Sequence, residues 1–261
     1  MPRLKRGMTL NRIRNHKKEE AHLKTTDIDY SVGGATYVGY LAVDEARGGK
    51  RPGVLLAPEG PGLGDLCKSF ARKLADLGYV AYAMDYHGGG RVLELPEAMG
   101  RIQAFMANPQ GIRDIATSAL GVLKSQPQTD TTRLAAIGYC FGGTTALELA
   151  RSGADLKAAV GFHSGLATAR PQDAANIKAK ILVNIGADDP IIPKEQRVAF
   201  EQEMTAAKVD WRMNLYGGAG HSFTNPDVGR LGRPGFAYHA PSDRRSWTAM
   251  LDLFDEVFGK V

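Results

Sequence analysis

Between residues 50 and 260 the chain alternates short, continuous apolar runs with longer segments in which apolar positions recur every three or four residues. A short continuous run suits a strand covered on both faces, and the three-to-four spacing suits an amphipathic helix. "GVLLAP" (53–58), "YVAYAMDY" (79–86), "RLAAIGY" (133–139), "LKAAVGFHS" (156–164), "AKILVNIGA" (179–187) and "DWRMNLY" (210–216) are predicted strands. "GDLCKSFARKLADLG" (64–78), "GIRDIATSALGVLKSQ" (111–126), "FGGTTALELARSG" (141–153), "KEQRVAFEQEMTAAK" (194–208) and "DRRSWTAMLDLFDEVFGK" (243–260) are predicted helices. Ahead of them, "TTDIDYSVGGATYVGYLAV" reads as two strands around Gly33-Gly34. The Gly-rich stretch after residue 86 carries no clear period. Strands alternating with helices predict an α/β fold: a mostly parallel central sheet with helices on both faces, plus N-terminal antiparallel strands. Functional residues in such a sheet collect beyond the strands' carboxyl ends.

Composition changes this picture little. The chain has 261 residues, 43% hydrophobic and 23% charged, with no repeat or low-complexity segment, so a single domain over 25–261 is expected. Charge is uneven: residues 1–24 hold eight Lys/Arg against two Glu, while the rest holds 25 against 26 Asp/Glu. Residues 1–24 are therefore read as a basic, flexible tail; no aromatic residue interleaves its charges, which argues against nucleic acid. No apolar run approaches the roughly 18 residues of a membrane span, and the N-terminus lacks the apolar core of a secretory signal, so a cytoplasmic location is expected. Met8 is a second candidate start. Two cysteines, Cys67 and Cys140, make neither a disulfide framework nor a zinc signature, and no cofactor or metal is expected. Cys67 falls on the apolar face of a predicted helix.

The chemistry centres on "IGYCFGG" (137–143), where Cys140 sits between a predicted strand and a predicted helix with Gly138 and Gly142 two residues either side. This is the frame of a nucleophile elbow with Cys in place of Ser: the glycines permit a tight turn, and the helix N-terminus favours a thiolate and a developing oxyanion. Of the histidines after Cys140, His221 lies on a Gly-rich loop beyond the last strand, where an imidazole can reach the elbow. His163, at a strand end, suits a packed and satisfied role, and His239 is a spare. Asp188 and Asp189 follow a strand between nucleophile and base, and spacing alone favours neither.

Together "LLAPEGPG", "GYCFGG", "GADDPIIP" and "AGHSF" resemble the dienelactone hydrolases, a cysteine branch of the α/β-hydrolase fold, from about residue 50 to His221 with a matching closing helix. The resemblance implies a Cys140–His221–Asp189 triad, Asp189 being selected because the family's acid precedes a proline by four positions, here Pro193. It also implies that Glu59 holds or accepts the thiol proton until substrate binds. The amides of Phe141 and Gly60 are expected to form the oxyanion hole. "HGGGR" (87–91), which mimics a lipase oxyanion loop but follows the next strand, is expected at the pocket wall, and "GPGLGD" lacks the Lys-Ser/Thr of a phosphate loop.

The expected activity is hydrolysis of an ester or lactone through a thioester acyl-enzyme, acting on a small molecule as a monomer or homodimer. The competing reading is a catalytically silent α/β-hydrolase-fold protein that binds a ligand or partner. Substrate identity is less legible. The family's carboxylate-binding arginine, four residues after the histidine, corresponds to Asn225. Arg91, Arg101 and Arg113 are candidate pocket cations, and the segment 224–243 offers Arg230, Arg233, Tyr238 and His239.

Overall fold

The continuous apolar runs become strands because the sheet is covered on both sides. In the computed structural model, which describes residues 22–261, β3 (Arg51–Ala57) is buried along its whole length. Val54 and Leu56 enter one core cluster, Leu55 and Ala57 the other. β5 (Thr129–Tyr139) divides the same way, with Leu134 and Ala136 on one side and Ala135 and Ile137 on the other. Successive side chains of a strand point to opposite faces, so a strand segment buried on both reads as a near-continuous apolar run.

The remaining strands are β1 (Leu23–Val32), β2 (Ala35–Asp44), β4 (Val80–Ala83), β6 (Ala158–Phe162), β7 (Lys180–Gly186) and β8 (Trp211–Tyr216). Their spatial order is β1-β2-β4-β3-β5-β6-β7-β8. β1 and β2 form an antiparallel hairpin through Gly33 and Gly34, both at positive φ, and β2 is antiparallel to β4. The other pairings are parallel. This is the mostly parallel sheet with N-terminal antiparallel strands that the pattern predicts, and the α/β-hydrolase arrangement that the resemblance implies.

Helix α1 (Asp65–Asp76) and the closing helix α6 (Ala240–Phe258) cover one face, packing Ala71 and Leu74 with Met250 and Phe254. On the other face lie α3 (Gln110–Ser125), α4 (Phe141–Arg151) and α5 (Lys194–Ala206), which supply Ile112, Leu147 and Phe200. β3 pairs with β4 on one side and β5 on the other, so the chain reverses its direction of travel across the sheet there. Such a reversal opens a crevice at the strands' carboxyl ends.

Beneath α4 runs a buried ionic chain. Arg113 pairs with Glu148 at 2.7 Å and with Asp173 at 2.5 Å. Arg151, with no exposed side-chain surface, bonds Glu148 at 3.0 Å, both oxygens of Glu203 at 2.8 Å, and the Leu166 carbonyl at 3.0 Å. Arg113 is thus structural, and the expectation that it could charge the pocket is corrected.

Several elements depart from the pattern. Residues 1–21 of the basic tail lie outside the described residues, and Leu23 and Lys24 already belong to β1. β4 ends at Ala83 rather than at residue 86, because the buried Asp85 carboxylate turns the chain by accepting the amides of His87, Gly88 and Gly90. The Gly-rich stretch contains a helix, α2 (Leu95–Ala107), which buries only Ala98 and Ile102. So sparse a buried face leaves little periodic signal.

Candidate active site

Cys140 ends the turn from β5 into α4 with φ 54° and ψ −120°. A non-glycine residue in this region costs about 1–3 kcal/mol and persists only where its surroundings enforce it. The enforcement is visible: a side chain at Gly138 would collide with the Gly142 carbonyl, and one at Gly142 with the carbonyls of Ala57 and Pro58 at the end of β3. The Cys140 amide donates to the Phe162 carbonyl at 2.9 Å and to His163 Nδ1 at 3.2 Å.

That second contact gives His163 a defined tautomer. Burial, then the charge of His221, holds its pKa well below the usual imidazole range. A neutral ring accepting at Nδ1 carries its proton on Nε2, which donates to Thr224 Oγ1 at 2.8 Å. His163 is packed and satisfied, as its position predicts. What sequence reasoning missed is that it braces the backbone of Cys140. The available signal was register: Phe162 pairs with Tyr139, so the next residue of each strand must meet.

His221 stands between Cys140 and Asp189. Its Nε2 lies 3.2 Å from Cys140 Sγ, and its Nδ1 lies 2.8 Å from Asp189 Oδ2. Asp189 follows β7 and is buried, whereas its neighbour Asp188 is exposed. Burial alone would lower the His221 pKa, but the hydrogen bonds to Asp189 and Cys140, with their charges, outweigh it and raise it to about 10. An imidazolium here has one N–H aimed at a carboxylate and the other at sulfur, supplying the countercharge a thiolate needs.

Glu59, on the loop after β3, does not touch Cys140 Sγ: its Oε2 accepts from Asn225 Nδ2 at 3.0 Å, and its buried Oε1 has no protein partner. Burial pushes its carboxyl pKa up, against the opposing pull of Asn225, His221 and Ser222. Between the ordinary carboxyl value and this raised one, the folded chain binds more protons than the unfolded chain, so stability falls as pH rises. Glu59→Gln keeps an acceptor for Asn225 and removes the charge. Urea unfolding should therefore show the variant gaining stability over the native protein at pH 8 and losing that gain near pH 4; an equal difference at both would contradict the assignment.

The Phe141 amide opens α4 without an intrahelical acceptor, and the Gly60 amide follows Glu59 on its loop; neither donates to protein among the described residues. The Gly60 loop is held from behind by His87, whose Nε2 lies 2.8 Å from the Gly60 carbonyl and whose Nδ1 accepts from Arg101 Nε at 3.1 Å. "HGGGR" is thus a brace for this loop, not the pocket wall expected from its sequence.

A cavity of about 350 Å³ opens over Cys140 and His221. Asn225 lines it, as does Arg233, but the other candidate cations do not. Arg91 is exposed and pairs with Glu97. Arg101 is engaged by His87, and Arg230 pairs with Asp227. Tyr238 is 40% exposed and donates to Asp243, and His239 contacts Ser242. Arg91, Arg101 and Tyr238 are therefore corrected as pocket residues: each is drawn off by a nearer partner. Cys67 is buried in α1, and burial pushes its thiol well up, away from reactivity. Among the described residues no cluster of three or more His, Cys, Asp or Glu is placed to hold a metal ion, and no helix is long and apolar enough to cross a membrane.

Comparison with known proteins places this geometry in context. The model of the dienelactone hydrolase family matches residues 38–258. A Yersinia pestis protein provisionally named carboxymethylenebutenolidase is 30% identical over 229 residues, covering 83% of this chain and 82% of its own. A Bradyrhizobium protein provisionally named 2-oxo-3-(5-oxofuran-2-ylidene)propanoate lactonase is 28% identical, covering 75% of this chain and 82% of its own. Among solved structures, a dienelactone hydrolase-like promiscuous phosphotriesterase from metagenomic libraries is 44% identical, with a TM-score of 0.87 over 91% of this chain and 100% of its own.

Proposed function

The chain belongs to the dienelactone hydrolase family and is a hydrolase, and from that premise we propose that it cleaves carboxylic esters or lactones through a Cys140–His221–Asp189 triad. The observation that carries the reading is the unbroken contact from Asp189 through His221 to Cys140 Sγ, at 2.8 and 3.2 Å, on the floor of an open cavity.

In this reading the Cys140 thiolate attacks the carbonyl carbon, and the oxyanion that forms is received by the Phe141 and Gly60 amides. Asp189 holds the His221 ring so that Nε2–H faces the reacting centre. As the tetrahedral adduct collapses, that proton passes to the departing alcohol oxygen, leaving a thioester on Cys140. Neutral His221 then takes a proton from water, whose oxygen attacks the thioester; the acid leaves and the thiolate–imidazolium pair is restored. A thiolate is a good leaving group from such adducts, so activated esters and enol lactones suit it better than amides. Glu59, bonded to Asn225, adds a buried carboxyl to the lining that Cys140 and His221 share.

Lactones, aryl esters and thioesters offered to the native protein and to Cys140→Ala test the proposal. At least one class should turn over faster with the native protein; no difference across the panel would favour the silent ligand-binding alternative. Because His221 holds its proton up to about 10, the alkaline limb of kcat/KM should fall near that pH. A limb near 7 would contradict the ion pair.

A further inference from the structure

We infer that this pocket selects uncharged, apolar esters and lactones and rejects substrates bearing a carboxylate, with Asn225 as a residue that sets the preference. The inference rests on the hydrolase reading above and adds the charge of what enters.

The walls are apolar: Leu93, Leu95, Met99, Ile191, Leu231 and Phe236 all face the cavity. Burying an apolar substrate group against them contributes about 25 cal/mol per Å². The charged lining points the other way. Glu59, Glu94 and Asp227 are acidic, and beside His221 the basic residue on the described lining is Arg233. The Arg233 guanidinium already sits over the Phe236 ring, 4.4 Å from its centre.

Glu59 stands on the same lining as Cys140 and His221, and its partner is the neutral amide of Asn225. Whether or not Glu59 carries its proton, this pair presents no positive charge. A substrate carboxylate brought there would lose its water without gaining a cation, and a buried charge without a partner is strongly disfavoured. Among the described residues the cation in contact with Cys140 is His221, whose two N–H groups are committed to Asp189 and Cys140. Rejection of anions thus comes from a missing partner and from acidic neighbours, and acceptance of apolar groups comes from the walls.

A matched substrate pair tests this: 4-nitrophenyl hexanoate and the 4-nitrophenyl monoester of adipic acid share a leaving group and a six-carbon acyl chain, and differ at the far end by methyl against carboxylate. With spontaneous hydrolysis subtracted, kcat/KM for the hexanoate should exceed that for the adipate by about tenfold or more, equivalent to about 1.4 kcal/mol. Asn225→Arg should narrow that ratio by raising turnover of the adipate. Equal rates, or preference for the adipate, in the native protein would overturn the inference while leaving the hydrolase reading intact. A native preference that Asn225→Arg, still folded and active on the hexanoate, leaves unchanged would overturn the role given to Asn225. If neither ester turns over faster with native protein than with Cys140→Ala, the hydrolase reading fails and the inference with it.

Discussion

Cys140→Ala should lower kcat/KM toward a reactive aryl ester by about 10⁴-fold or more, leaving only what binding and the oxyanion amides supply. Folding should survive, because the strained turn is enforced by Gly138, Gly142 and His163 around the position rather than by the thiol. Asp189→Asn should cost about 10³ to 10⁴-fold, since an amide cannot stabilise the imidazolium and permits the wrong ring orientation. The double variant should be little worse than Cys140→Ala alone, because the triad acts as a unit. Steady-state kinetics on the three proteins checks all of this; losses that multiply would show that Asp189 acts outside the triad.

The largest expected effect on stability lies away from the site, at Arg151. Its guanidinium is fully buried between Glu148 and Glu203. Arg151→Ala leaves Glu203 without the cation that bonds both its oxygens, and removes one of the two arginines that bond Glu148. Breaking one partner out of a buried pair costs about 3–5 kcal/mol. Arg151→Met, which fills the space but leaves the same carboxylates, should recover only the packing part. Urea unfolding of both variants checks the ranking: a loss under about 1 kcal/mol for Arg151→Ala would mean that water reaches these carboxylates.

The central sheet was legible because a strand segment buried on both faces reads as a continuous apolar run, as residues 53–57 of β3, 134–139 of β5 and 181–183 of β7 do. Residues 79–86 misled for the same reason: Met84 and Tyr86 are as buried as any strand residue, although the chain has left the ladder at Ala83. α2 was illegible because its exposed Leu95 and Met99 serve the cavity rather than a packed face. At the site, elements that follow strand ends were readable in order, which brought Cys140, Asp189 and His221 into view. Spacing did not separate Asp188 from Asp189; the resemblance did, and the structure sets Asp189 against His221. These pocket candidates were misread because their partners are set by tertiary contacts. Glu97, His87 and Asp243 claim Arg91, Arg101 and Tyr238, and nothing in one sequence shows that competition.

The proposed mechanism requires a covalent bond at Cys140 Sγ. Native protein mixed with 4-nitrophenyl hexanoate and quenched in acid during the first turnover should gain one hexanoyl group by intact mass. Peptide mapping should place it on Cys140 as a thioester released by hydroxylamine. Turnover with no acyl group trapped, or with the group on another residue while Cys140 stays free, would contradict the mechanism.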